Sequence, residues 1–243
     1  MFTLLLKEIN DFLNSLIGYI VLIVFISVIG LFMWIFPGNF NVIDSGYANL
    51  ESLFVIAPWI FMFFGPAITM KSYSDEKRSG TFETLLTKPI SVWQIVLAKY
   101  IAGLILVLFA IIPTLIYFIS VYELGVPKGN LDIGGIMGSY IGLGFLATGF
   151  IAIGSFASAL SDNQIVSFIF GVFISFICYI GFDSLSELDW FGSFDNIILN
   201  LGMNQHYNAL SRGVIDTRDI IYFISLSGVF LLLTKTTVDS RKW

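Results

Sequence analysis

The chain has 243 residues, of which 57% are hydrophobic and 16% aromatic but only 12% charged, with a formal net charge of −5. A soluble domain carries about a quarter charged residues, so roughly half of the usual water-facing cover is missing. The composition excludes a soluble globular protein and describes an all-α polytopic membrane protein.

The start, MFTLLLKEIN, lacks a charged leader and a small-residue cleavage step. Phe2, Leu5, Leu6, Ile9, Phe12, Leu13 and Leu16 recur at helical spacing, with Thr3, Lys7, Asn10, Asp11 and Asn14 on the other side. That pattern predicts a helix over 1–15 lying in the membrane interface, or an extension of the first span. A membrane helix needs about 20 apolar residues to cross about 30 Å of hydrocarbon. The spans expected on that basis are Leu16–Phe36, Leu53–Met70, Tyr100–Tyr122, Ile133–Leu160, Ile165–Phe182 and Ile220–Thr234. The fourth is long enough to tilt or break near Gly149 or Gly154. The sixth is short and needs Lys235 to snorkel at its end.

Lys and Arg favour cytoplasmic loops. With six spans and both termini inside, the inner side holds nine: Lys7, Lys71, Lys77, Arg78, Lys88, Lys99, Lys235, Arg241 and Lys242. The outer side holds three, Lys128, Arg212 and Arg218. Without the last span the split would be even, so six spans fit best. The chain then reads as one transmembrane domain over 1–243: five spans over 16–182, an outer segment over 183–219, and the sixth span over 220–235. That outer segment places Trp190, Phe191, Phe194 and Tyr207 among acidic residues.

No ionisable residue falls within the cores of these spans, which argues against a proton- or ion-coupled transporter. Small residues pair at four-residue spacing, Gly138 with Gly142, Gly154 with Ser158 and Gly171 with Ser175. Such faces let helices approach closely, within one bundle or between two copies. No G-x-x-x-x-G-K-S/T phosphate loop occurs, and Gly142 to Gly149 (GLGFLATG) follows no strand, so neither nucleotide-binding pattern applies. Cys178 has no partner for a disulfide, and His206 alone cannot hold a metal.

Residues 74–94, SDEKRSGTFETLLTKPISVWQ, interrupt this apolar chain with charge. Gly80 permits an unusual backbone angle, Thr81 can cap a helix, and Phe82, Leu85 and Leu86 fall on one face of it. Pro89 stops it, and Ser91 with Gln94 forms a capping box that starts the next helix. The expectation is a short helix whose Phe-Leu-Leu patch projects into the cytoplasm as a knob for a groove, or else lies back on the lipid.

EKRSGTFETLLTKPIS resembles the signature loop of ABC-2-type transporter permeases. Arg78, Gly80, Thr81, Glu83, Leu85, Leu86 and Pro89 match its pattern, with Phe82 in the same helix. The Lys7-Glu8 pair of the N-terminal helix and HYNALSRGVIDTRDIIYF (206–223) are similar to the family as well. Within it the chain looks most like the gliding-motility-associated permease subunits of the GldF type, with the permeases of nitrous-oxide-reductase maturation as the alternative. The resemblance implies a coupling helix at 81–88 docked on a separate ABC ATP-binding subunit. It also implies a second permease half, identical or paralogous, and a place in the inner (cytoplasmic) membrane. ATP and Mg would sit on the partner subunit, none on this chain, which would not itself be an enzyme. Two readings stay open: an ATP-driven export permease, and a membrane anchor or mechanical transmitter that acts through 183–219. That segment could equally cap the pore mouth.

Overall fold

The computed structural model describes every residue except 88, 189–191, 193–194, 214–215 and 241–243, together with all side chains in this set but that of Leu86. Trp190, Phe191 and Phe194 of the outer segment, and the basic residues Lys88, Arg241 and Lys242, lie outside the described residues.

The described chain is helical, with no strand. Helix α1 (Phe2–Leu13) precedes α2 (Leu16–Trp34), the first of six helices long and apolar enough to cross a membrane. A short α3 (Val42–Ser45) leads to α4 (Glu51–Arg78), and α5 (Thr81–Leu86) to α6 (Val92–Ile111). A 3₁₀ turn at Ile112–Thr114 joins α6 to α7 (Leu115–Leu124), so the third span runs from residue 92 to 124. Pro113 explains the break, since it has no N–H to give the ladder. Helix α8 (Ile133–Leu160) follows, then α9 (Gln164–Phe176), which passes through a π-helical stretch, Ile177–Gly181, into α10 (Phe182–Ser186). Short helices α11 (Asp195–Leu199) and α12 (Met203–Leu210) precede the last span, α13 (Thr217–Asp239).

Three expectations need correction. The second span does not end at Met70 but continues as helix to Arg78, because its polar side chains find protein partners instead of water. Ser158 of α8 inserts into the α4 ladder: its hydroxyl accepts from the Tyr73 amide at 3.0 Å and donates to the Met70 carbonyl at 3.0 Å. Lys77 donates to the Ala159 carbonyl, and Gln164 donates to Asp75. The fourth span is one unbroken helix, since Gly149 and Gly154 are filled from outside by Met203 and Thr69. The sixth span is full length, capped by Asp216, whose side chain accepts from the Arg218 amide.

Helix α8 is the core, packed against α4, α6, α9, α12 and α13. Its small residues serve contacts within the bundle. A Cβ at Gly154 would sit 2.2 Å from Thr69 Oγ1, and one at Gly171 of α9 would sit 2.8 Å from Pro66 Cβ. Gly138 and Gly142 make room for α12, whose Met203, Tyr207 and Leu210 are buried. Lys235 near the end of α13 lies over the Trp93 ring of α6, so the described ends of the chain share one end of the bundle, here called proximal. Residues 183–187 and α12 lie at the other, distal end, with the starts of α4 and α8.

Candidate functional site

The turn between α4 and α6 is built around Gly80. Its φ of +71° lies in the left-handed region, while a Cβ there would meet nothing within 4 Å. Glycine is required for the angle and not for space. Gly80 itself is the N-cap of α5, so Thr81 is the first helical residue and does not cap α5; its hydroxyl meets that of Ser79 at 2.8 Å and donates to the Glu76 carbonyl at 3.4 Å. At the far end, Ser91 and Gln94 make the expected capping box, and Pro89 lies between the helices, exposed.

Two of the three side chains of the expected patch, Phe82 and Leu85, do not project. Phe82 is only 4% exposed and meets the Tyr73 ring edge-on, with centroids 6.4 Å apart. Leu85 is half-buried beside Leu4 of α1 and Ile95 and Ala98 of α6. The outward face is polar: Thr81, Glu83, Thr84 and Thr87 are exposed, as is Arg78 before the turn. The physical reason for this reversal of the expected knob is that α1 and α6 together offer an apolar trough, and filling it removes more apolar surface from water than facing solvent would.

Beneath α5 lies a charge cluster. The Lys99 side chain is completely buried, and its Nζ is 2.7 Å from Glu8 Oε1, 3.0 Å from Glu76 Oε2 and 2.6 Å from the Ser72 carbonyl. Lys7 Nζ holds the other Glu76 oxygen at 2.8 Å. The Tyr73 ring stands 5.2 Å from the Lys99 nitrogen. Burial alone would lower the Lys7 pKa, but the Glu76 hydrogen bond and the carboxylates of Glu76, Glu8 and Asp11 outweigh it, and the net shift is upward. Lys7 and Lys99 against Glu8 and Glu76, with Asp11 3.9 Å from Lys7, make a clasp that ties α1, α4 and α6 together under α5.

The clasp is the part of the site that the sequence hides. Lys99 precedes the expected start of the third span by one residue, so it reads as a flanking charge. The only available signal is its place on the same helical face as Val92, Ile95 and Gly103, a buried face on which a lysine needs a partner. Nothing local points to Glu8 or Glu76. His206 is also held structurally, stacked on Tyr222 at 3.9 Å, with Nδ1 2.6 Å from Asp219 and Nε2 2.9 Å from the Asn200 carbonyl.

Residues 36–234 match the family model described as ABC-2 family transporter protein. The chain belongs to the ABC-2 transporter family. No curated protein matches it. The family match and the six apolar helices together describe a multi-pass ABC-2 permease, the membrane part of a transporter whose family works with an ABC ATPase subunit. The matched region of this ABC-2 permease includes α5, Glu76 and Lys99 but begins after α1, so Lys7 and Glu8 are contributed from outside it.

Proposed function

We propose that this ABC-2 permease is the membrane subunit of an ATP-driven exporter, in which α5 docks a separate ATP-binding subunit and the clasp carries its motion into the spans. The observation that carries the reading is the double anchorage of α5: an apolar face seated on α1 and α6, and a clasp beneath it that grips α4 and α6. A push on the exposed Glu83–Thr84 surface therefore moves whole helices, not a loose loop. The docking surface comprises the polar outer face of α5 with Arg78 and Pro89. Gly80 is the hinge of the coupling element and Phe82 and Leu85 its seat, and Leu86 belongs to the same element.

In this reading the proximal end and both termini face the cytoplasm, in a bacterial inner membrane. One chain supplies six spans and one α5, so a second permease half, a copy or a paralogue, completes the pathway. ATP and Mg reside on the ATP-binding subunit. Gliding-motility complexes of the GldF type are the setting that the resemblance of the coupling turn favours.

The transmitter reading rests on the aromatic residues of 183–219. Trp190, Phe191 and Phe194 lie outside the described residues, and Tyr207 is buried, donating to the Phe54 carbonyl at 2.7 Å. A Tyr207 committed to the bundle supports the segment as a cap over the distal end.

Co-purification from native membrane tests the proposal. The wild-type chain should bring down an ATP-binding subunit and a second membrane subunit, and Glu83→Lys combined with Thr84→Lys should lose the ATP-binding subunit alone. Retention of that subunit with unchanged ATPase stimulation would end the coupling claim.

A further inference from the structure

At the distal end a cavity of about 910 Å³ opens between the starts of α4 and α8, the π-helical stretch after α9, and α12. That volume is within the range of small-molecule sites, about 300–1,000 Å³. Its walls combine two chemistries. Phe54, Trp59 and Tyr179 give it an aromatic side, with the Trp59 and Tyr179 rings edge-on at 6.2 Å and Trp59 still 48% exposed. Glu51, Asp183 and Glu187 give it an acidic side, and none of the three is ion-paired among the described residues. Arg212 is the one cationic residue among the described residues of its lining. Among the described residues the Asp183 carboxylate accepts a single hydrogen bond, from Asn204 to Oδ2 at 2.6 Å, and its buried Oδ1 accepts none.

The spacing of the carboxylates decides what kind of cation fits. Among the described residues no three Asp, Glu, His or Cys converge closely enough to hold a metal ion. Carboxylates spread around a wide cavity, facing aromatic rings, suit a charge that is delocalised over a large apolar body, because ring faces attract such cations. Tyr179 lies in, and Asp183 just after, the π-helical stretch, an irregularity that occurs frequently at functional sites. We infer that this cavity binds a hydrophobic organic cation, an aryl or alkyl ammonium or phosphonium group, with the charge toward Glu51, Asp183 and Glu187 and the apolar body on Trp59 and Phe54. The further step of calling that ligand cargo rests on the exporter reading; the binding itself is a property of this chain alone.

The test uses two ions of nearly the same shape and opposite charge. Labelled tetraphenylphosphonium and, separately, tetraphenylborate are titrated onto the full chain in phosphatidylcholine nanodiscs, with empty discs subtracted. The phosphonium should bind saturably and the borate should not. Replacing Glu51→Gln together with Glu187→Gln, both exposed positions, should weaken phosphonium binding by about tenfold while leaving the elution profile of the discs unchanged. Equal binding of both ions, no saturable phosphonium binding, or an unchanged affinity in the double variant would each overturn the inference. The wild-type comparison of the two ions stands even if the variant fails to fold. Loss of cation binding with the ATP-binding subunit still attached would sink the cavity alone, and the reverse outcome would sink the permease coupling alone.

Discussion

Lys99 brings a positive charge into a site closed to water, among residues from three helices. A buried pair contributes little net stability compared with apolar packing, but removing one partner leaves an uncompensated charge, which costs about 3–5 kcal/mol. Lys99→Met should therefore lower thermal stability in detergent by about that amount and loosen α1 toward proteolysis, because Glu8 then loses its 2.7 Å ion pair to α6. Pairing it with Glu8→Gln should recover part of the loss. An unchanged melting temperature for Lys99→Met would contradict the clasp. Lys7 contributes in a different pH window. Its raised pKa means that its stabilisation is fully present below the ordinary value of 10.5 and is lost as pH rises through the raised one. The stability difference between wild type and Lys7→Met should accordingly be constant across neutral pH and narrow only in strong alkali.

At the scale of elements, α5 sorts its residues by face. Leu85→Asp places a charge against Leu4, Ile95 and Ala98 and should unseat the helix, seen as faster protease cleavage between residues 79 and 91. Phe82→Ala should cost about 3–5 kcal/mol for the same reason, a lost buried aromatic. Glu83→Lys should leave the cleavage rate alone. Equal protease sensitivity in all three would mean that α5 is not seated as described. The α4–α8 seam makes a parallel prediction: Gly154→Val forces a side chain onto Thr69 and should destabilise by about 1–3 kcal/mol, read by thermal unfolding. The start of α6 and the glycine turn before α5 are legible in the sequence, since a capping box and a positive-φ glycine are local chemistry. The burial of the α5 apolar face is not, because its trough comes from α1 and α6, whose joint position no local pattern reveals. The extension of α4 was likewise hidden: Lys71 to Arg78 reads as a charged loop until Ser158, Ala159 and Gln164, more than 80 residues away, are seen to take up its polar groups.

For the whole molecule, the apolar runs and the basic residues give six spans, and six helices of that length and composition are present. The second span lengthens where its polar end finds protein partners in Ser158, Ala159 and Gln164, and the third is interrupted where Pro113 removes a ladder donor. The small-residue pairs were legible as close-approach faces, yet only the fold assigns them to contacts within one bundle: Gly138 and Gly142 to α12, Gly154 and Gly171 to α4. The proximal end holds α5 over a charged clasp, and at the distal end α12 lines a wide acidic and aromatic cavity.

The measurement that tests this account most directly is cross-linking in native membranes from single cysteines, Thr84→Cys on the exposed face of α5 and Tyr47→Cys, 75% exposed at the distal end. Capture of an ATP-binding subunit from position 84 and not from position 47 is the predicted result. Capture from position 47, or from neither while the complex remains assembled, would contradict both the docking surface and the sidedness on which the coupling mechanism depends.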